Sequence, residues 1–219
     1  MEILQACPNL VGCTFDHIFY DEDDKPEAHV WTCMRHLKFG TYPHPSSELA
    51  LQYMSTPQLE VLHFPAFGSN ANVLLDFLKR SSRPLKKLML GGPKFRVSWT
   101  RQQLEECFSL LPNLTHVELN HPGHEASDPF TTILANSPHL VPNLSRITLR
   151  QPTLSMPWLR WYQKLVAALL CRETMYFVRI VYYDKVSTPR LTEAICFALR
   201  QLVAGGMKIH IGTEVHNYI

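Results

Sequence analysis

The segment "LPNLTHVELN" at residues 111–120 returns 30 residues on as "VPNLSRITLR" at 141–150. A catalytic motif rarely recurs in register, whereas a structural unit does. The shared template is Leu-x-x-Leu-x-Leu, with aliphatic or aromatic substitutes. Copies start at residues 10, 34, 59, 85, 114, 144 and 177, with a degraded copy at 206. Their spacings are 24, 25, 26, 29, 30, 33 and 29. A unit of that length cannot bury its own apolar face and must stack on its neighbours. Residues 1–219 are therefore expected to form a single domain of about eight irregular repeats.

Each copy has two parts. The template alternates apolar and polar residues, the period of a strand. Strands are expected near 11–15, 35–39, 60–64, 86–90, 115–119, 145–149, 177–183 and 207–211. Pro8, Pro57, Pro84, Pro112 and Pro142 stand just ahead of copies, where they end whatever precedes them. Between strands, the stretches 72–81, 100–111, 156–171 and 188–206 carry helical spacing. Thr100 is the expected cap of the second, while Pro157 and Pro189 open the third and fourth. Gly205-Gly206 closes the last. Strand and helix in alternation imply an α/β fold with parallel strands in sequential order. Leu62, Phe64, Leu88, Leu90, Val117, Leu119, Ile147 and Leu149 are the expected core.

Composition agrees with a globular chain: 46% hydrophobic and 18% charged. A net charge of +2 gives no ground for a nucleic-acid partner. No apolar run reaches the ~18 residues of a membrane span. The opening "MEILQACPNL" has no signal-peptide pattern. Six scattered cysteines without Cys-x-x-Cys read as reduced, mostly buried thiols of a cytoplasmic or nuclear protein.

The pattern of Pro, then Leu-x-x-Leu-x-Leu, at irregular spacing resembles leucine-rich repeats. More narrowly, "ACPNLVGCTFDHI", the acidic loop after it, "MRHLKF", "TPQLEVLHFP" and "SSRPLKKLML" are similar in order to the repeat region of fungal F-box proteins. The resemblance implies a solenoid arc with parallel strands on the concave face and helices on the convex face. It also implies a substrate-receptor role in a ubiquitin ligase. The F-box that docks on the cullin-ligase adaptor has no counterpart in this chain, which opens on what reads as the end of an earlier repeat, Met1–Ala6. An adaptor is thus expected only if an F-box is encoded upstream. The asparagine that ordinary leucine-rich repeats carry after the strand is echoed only by Asn120, so irregular loops are expected.

Candidate chemistry is sparse. "HPGHEASD" at 121–128 gathers His121, His124, Glu125 and Asp128, but its spacing is not that of a zinc helix and Pro-Gly marks a turn. A polar inter-repeat loop is the expectation. "YPHPSS" at 42–47 reads as a loop ahead of a helix. "DEDDKPE" at 21–27 lacks the glycine of a calcium loop and reads as a solvated acidic loop. "GGPKF" at 91–95 is a turn without the Lys-Ser/Thr of a phosphate loop. Cys107, Cys171 and Cys196 fall within apolar helix faces, where a thiol is inert. No catalytic residue, metal or cofactor is expected.

One pattern points to a surface. The outward position before the second apolar residue reads Gly12, His36, Val61, Lys87, His116, Arg146, Arg179 and Lys208. Six of these eight are basic, more than 32 basic residues in 219 would place there by composition. Such a lane would favour a protein partner with an acidic segment. Protonation of His36 and His116 is expected to strengthen it below about pH 6.5, and Asp21–Glu27 to compete for it. The expected function is protein–protein interaction. A repeat scaffold with no ligase role and an α/β enzyme of unknown chemistry are the alternatives.

Overall fold

The computed structural model describes residues 7, 9–16, 28–40, 45–65, 71–81, 84–92, 97–152, 158–183 and 191–219, apart from the side chains of 45 and 46. The alternating template residues become the strands β1 (Gly12–Phe15), β3 (His36–Phe39), β5 (Val61–Phe64), β6 (Lys87–Leu90), β7 (His116–Asn120), β8 (Arg146–Arg150), β9 (Phe177–Val181) and β10 (Lys208–Gly212). They form one 8-stranded sheet in the order of the sequence. Every pairing within it is parallel. Between strands lie the helices α1 (Pro45–Tyr53), α2 (Ala71–Ser81), α3 (Arg101–Ser109), α4 (His124–Asn136), α5 (Trp158–Leu170) and α6 (Glu193–Ala204). A second, 2-stranded parallel sheet, β2 (His29–Val30) with β4 (Met54–Ser55), was not legible in the repeat pattern.

The register follows the template. Leu62, Leu88, Val117 and Ile147 are successive cross-strand partners, as are Phe64, Leu90, Leu119 and Leu149. All eight expected core residues are buried. Each fully buried aliphatic side chain contributes about 1.5–3 kcal/mol of transfer free energy. Helix residues such as Leu74, Phe77, Leu104, Phe108, Phe130, Leu134, Trp161 and Leu165 join the same core, and consecutive helices touch. The helices therefore cover one face of the sheet. The opposite face, carrying the side chains of the other parity, is called the open face below.

Strand entry repeats as strictly as the core. The carbonyl of Val11 accepts the N–H groups of both Arg35 and His36. Arg35 does the same for Glu60 and Val61, Lys86 for Thr115 and His116, and Ser145 for Tyr176 and Phe177. At strand exit, Gly91 has φ +89, and a Cβ there would lie 2.3 Å from the carbonyl oxygen of Asn120. Only glycine suits both conditions. After β10 the chain folds back. Tyr218 N–H donates to Ile211 O at 2.9 Å, and the Asn217 amide bonds Ile211 N and Ile209 O at 2.9 and 3.0 Å. That return covers a sheet edge that would otherwise invite strand addition.

Four expectations are corrected. The seventh copy begins at Met175, not 177, because Val178 pairs with Ile147 and Ile209. Residues 121–128 are a loop only to Gly123, the N-cap of α4, so His124, Glu125 and Asp128 are helical. The last helix opens at the Thr192 cap, whose side chain accepts from Ile195 N–H; Leu191 and Thr192 are not helical. Of the cysteines, all free, only Cys107 is buried; Cys7, Cys33 and Cys171 are exposed. Cys171 falls just beyond the end of α5, off its apolar face. Thr100 caps α3 as expected, with Gln103 completing a capping box. Pro157, Pro189 and the acidic segment 21–27 lie outside the described residues.

Candidate interaction surface on the open face of the sheet

Two columns of side chains stand on the open face. The observed register makes the first Gly12, His36, Val61, Lys87, His116, Arg146, Phe177 and Lys208. The second is Thr14, Lys38, His63, Met89, Glu118, Thr148, Arg179 and His210. His36, Lys87, His116, Arg146 and Lys208 thus share one lane, as the sequence implied. Arg179 does not; it stands one column over, and Phe177 takes its place. The two-residue slip arises because Met175-x-x-Val178-x-Ile180 and Phe177-x-x-Ile180-x-Tyr182 both fit the template, with Val181 and Tyr182 also buried. Spacing held the missing signal: Met175 lies 31 residues after Leu144 and 31 before Gly206, smoother than 33 and 29.

The cations differ in their company. Arg179 and Arg150 both hold the carboxylate of Glu214, in short contacts, and Arg150 Nε also binds Glu118 Oε1 at 2.8 Å. Two arginines thus meet two carboxylates, and this end of the face is neutralised. Sequence reasoning missed Glu214 and Arg150, which lie outside the template and meet only through the fold. At the strand entries, Arg35 and Lys86 flank Glu60 at 2.9 and 3.0 Å. Among the described residues, by contrast, Lys38, Lys87, Arg146 and Lys208 have no carboxylate partner. The Arg146 guanidinium instead lies 5.1 Å from the Tyr176 ring centroid and 5.6 Å from that of Phe177. Arg146 Nε also donates to the Tyr176 hydroxyl in a short contact, so the aromatic pair holds the guanidinium in place while its terminal nitrogens meet no carboxylate among the described residues.

His116 departs from the expectation. Burial, then the neighbouring Lys87, pushes the His116 imidazole down to about 4. Burial also lowers His63, which is 8% exposed. The Nε2 atoms of both are buried without a hydrogen-bond partner. His116 therefore stays neutral through mild acid, and its expected charging below pH 6.5 is withdrawn. The positive charge of the lane is carried by lysine and arginine.

At His63 the face sinks into a depression of about 430 Å³, also lined by Val61, Met89, His36 and Lys38. Elsewhere, His121 Nε2 meets the Tyr183 hydroxyl at 2.9 Å, and His124 pairs with its neighbour Glu125 at 3.4 Å. Among the described residues no three His, Cys, Asp or Glu side chains converge to hold a metal ion. Burial raises the Cys107 thiol to about 12, so it is not a nucleophile. No described helix is long and apolar enough to cross a membrane.

The fold and surface define a class: an α/β stack with a parallel sheet in sequential order, the described helices on one face, and an opposite face whose Lys87, Arg146 and Lys208 meet no carboxylate among the described residues. Comparison with known proteins adds no name to that class: no family model matches the chain, and no curated protein or solved structure does so.

Proposed function

We propose that this chain is a protein-recognition module whose partner lies along the open face. In this reading the stack curves as a leucine-rich-repeat-like arc with the open face concave. The observation that carries it is the in-register set Lys87, Arg146 and Lys208, which among the described residues meet no carboxylate, on a face that no described helix covers. Like charges near one another on a sheet are unfavourable. A protein that keeps them uncompensated while neutralising Arg150 and Arg179 has a surface suited to an anionic partner. The resemblance to fungal F-box proteins extends this reading to the substrate-receptor part of a ubiquitin ligase subunit.

Peptides selected on the protein from a random display library test the surface. They are expected to lose binding when Lys87, Arg146 and Lys208 are changed to Glu together. They should keep it when the exposed helix-side Arg160 and Arg200 are changed to Glu. Selected peptides with the opposite sensitivity would place recognition on the helices and end this reading. The ligase role has a separate test. A helical F-box encoded in frame upstream of Met1, with co-purification of the cullin-ligase adaptor, supports it; a transcript without one removes it.

A further inference from the structure

The spacing of the free cations narrows the partner. Lys87, Arg146 and Lys208 stand on β6, β8 and β10, every second strand. His116 and Phe177 occupy the same column on the strands between. His116 is held neutral by burial and by Lys87, so the fixed charge alternates with uncharged rings. Strands in a sheet lie ~4.8 Å apart, so the cations recur at ~9.6 Å across the face. A polyproline II segment rises ~3.1 Å per residue with three residues per turn, so every third side chain faces the same way at ~9.3 Å. A β-extended segment instead presents same-side groups at ~6.6 Å and falls out of step with this column. The aromatic element fits too. Phe177 and Tyr176 lie under the Arg146 guanidinium, and polyproline II ligands dock on aromatic-lined grooves. The face already holds two carboxylates against arginines, Glu118 on Arg150 and Glu214 between Arg150 and Arg179.

We infer that the open face binds a polyproline II segment of a partner protein with an acidic residue at every third position, its carboxylates meeting Lys87, Arg146 and Lys208 in turn. The segment runs across the strands. Its second carboxylate lies at Arg146, and a proline ring before or after it packs on Phe177. This inference rests on the open-face reading and gives it a chemical partner.

The test is fluorescence anisotropy with two labelled peptides of equal charge, Glu-Pro-Pro repeated and Glu-Ser repeated, added to the whole chain. The Glu-Pro-Pro peptide is expected to bind at least ~3-fold more tightly, and more weakly as salt rises, because screening shortens from ~10 Å at 0.1 M to ~3 Å at 1 M. Arg146→Glu with Lys208→Glu is expected to weaken it at least ~10-fold, through loss of complementary charge. Arg146→Gln with Lys208→Gln, the milder pair, should weaken it in the same direction, and circular dichroism checks that both variants fold. Equal affinity for the two peptides overturns the spacing argument. No binding of either, while display-selected peptides still bind the open face, overturns the inference and leaves the surface reading standing. A single-stranded oligonucleotide of equal charge that outcompetes both peptides replaces the acidic segment by a nucleic acid, and overturns it as well.

Discussion

His116 shows how one residue changes meaning between sequence and fold. In the sequence it is one more basic residue in a lane. In the structure burial keeps it neutral, and Lys87 beside it reinforces that. The folded chain holds this imidazole near 4, whereas an unfolded histidine takes its proton near ~6.5. Between those values the unfolded state binds more protons, so acid favours unfolding. The contribution is fully present above ~6.5 and is lost as the pH falls toward about 4. His116→Gln should therefore flatten the fall in urea midpoint between about pH 7 and pH 5 relative to the unaltered chain. Identical pH dependence in both would contradict the burial argument. Lys87, Arg146 and Lys208 were legible as outward positions because side chains alternate along a strand. The neutrality of His116 and the pairing of Arg179 with Glu214 were not, since both depend on residues far apart in the chain. The Arg172 guanidinium is a third such case. It is 5% exposed and donates to Leu134 O of α4 and to Val141 O in the segment leading to β8, at 2.9 and 3.0 Å, tying both to the next copy.

At the scale of elements, the strands were legible to within a residue or two because period-two alternation has few competitors in a repeated frame. In β9 the bounds were legible but the register was not, because Val178, Ile180 and Tyr182 share one parity and all three are buried. Helix α4 was lost for a different reason. Pro122-Gly123 signals a turn, and Pro129 inside the helix signals a break. The helix persists because its buried side, Ala126, Phe130, Ile133 and Leu134, packs into the core. Helix stability in a protein comes mainly from such a face. Trp161 of α5 also reaches across to it, donating Nε1–H to Ser127 O at 3.1 Å. Leu119 tests the register of the strands. It is fully buried and pairs with Leu90 and Leu149. Leu119→Ala should cost about 2–5 kcal/mol in urea denaturation, the range for a large-to-small core change. A cost below about 1 kcal/mol would mean that its side chain does not fill the inter-repeat core.

The whole molecule is a stack in which each copy touches chiefly the copies before and after it, as the helix–helix and strand–strand contacts show. Stability in such a stack runs through nearest-neighbour interfaces. Function, in the reading proposed, runs across them, along a row that no single repeat contains. That row was half legible: the repeat placed its three cations on alternate copies, while Phe177 in place of Arg179 and the neutrality of His116, which leave the strands between uncharged, came only with the fold. The most direct test observes the face itself. Met89 stands on it, half-buried between Lys87 and the depression beside His63, whereas Met34 and Met54 are sealed in the core. With methionine methyl groups labelled with carbon-13, NMR spectra are recorded as the Glu-Pro-Pro peptide is added. The account predicts that the Met89 methyl signal moves in proportion to occupancy while those of Met34 and Met54 stay in place. A stationary Met89 signal at saturating peptide would contradict it.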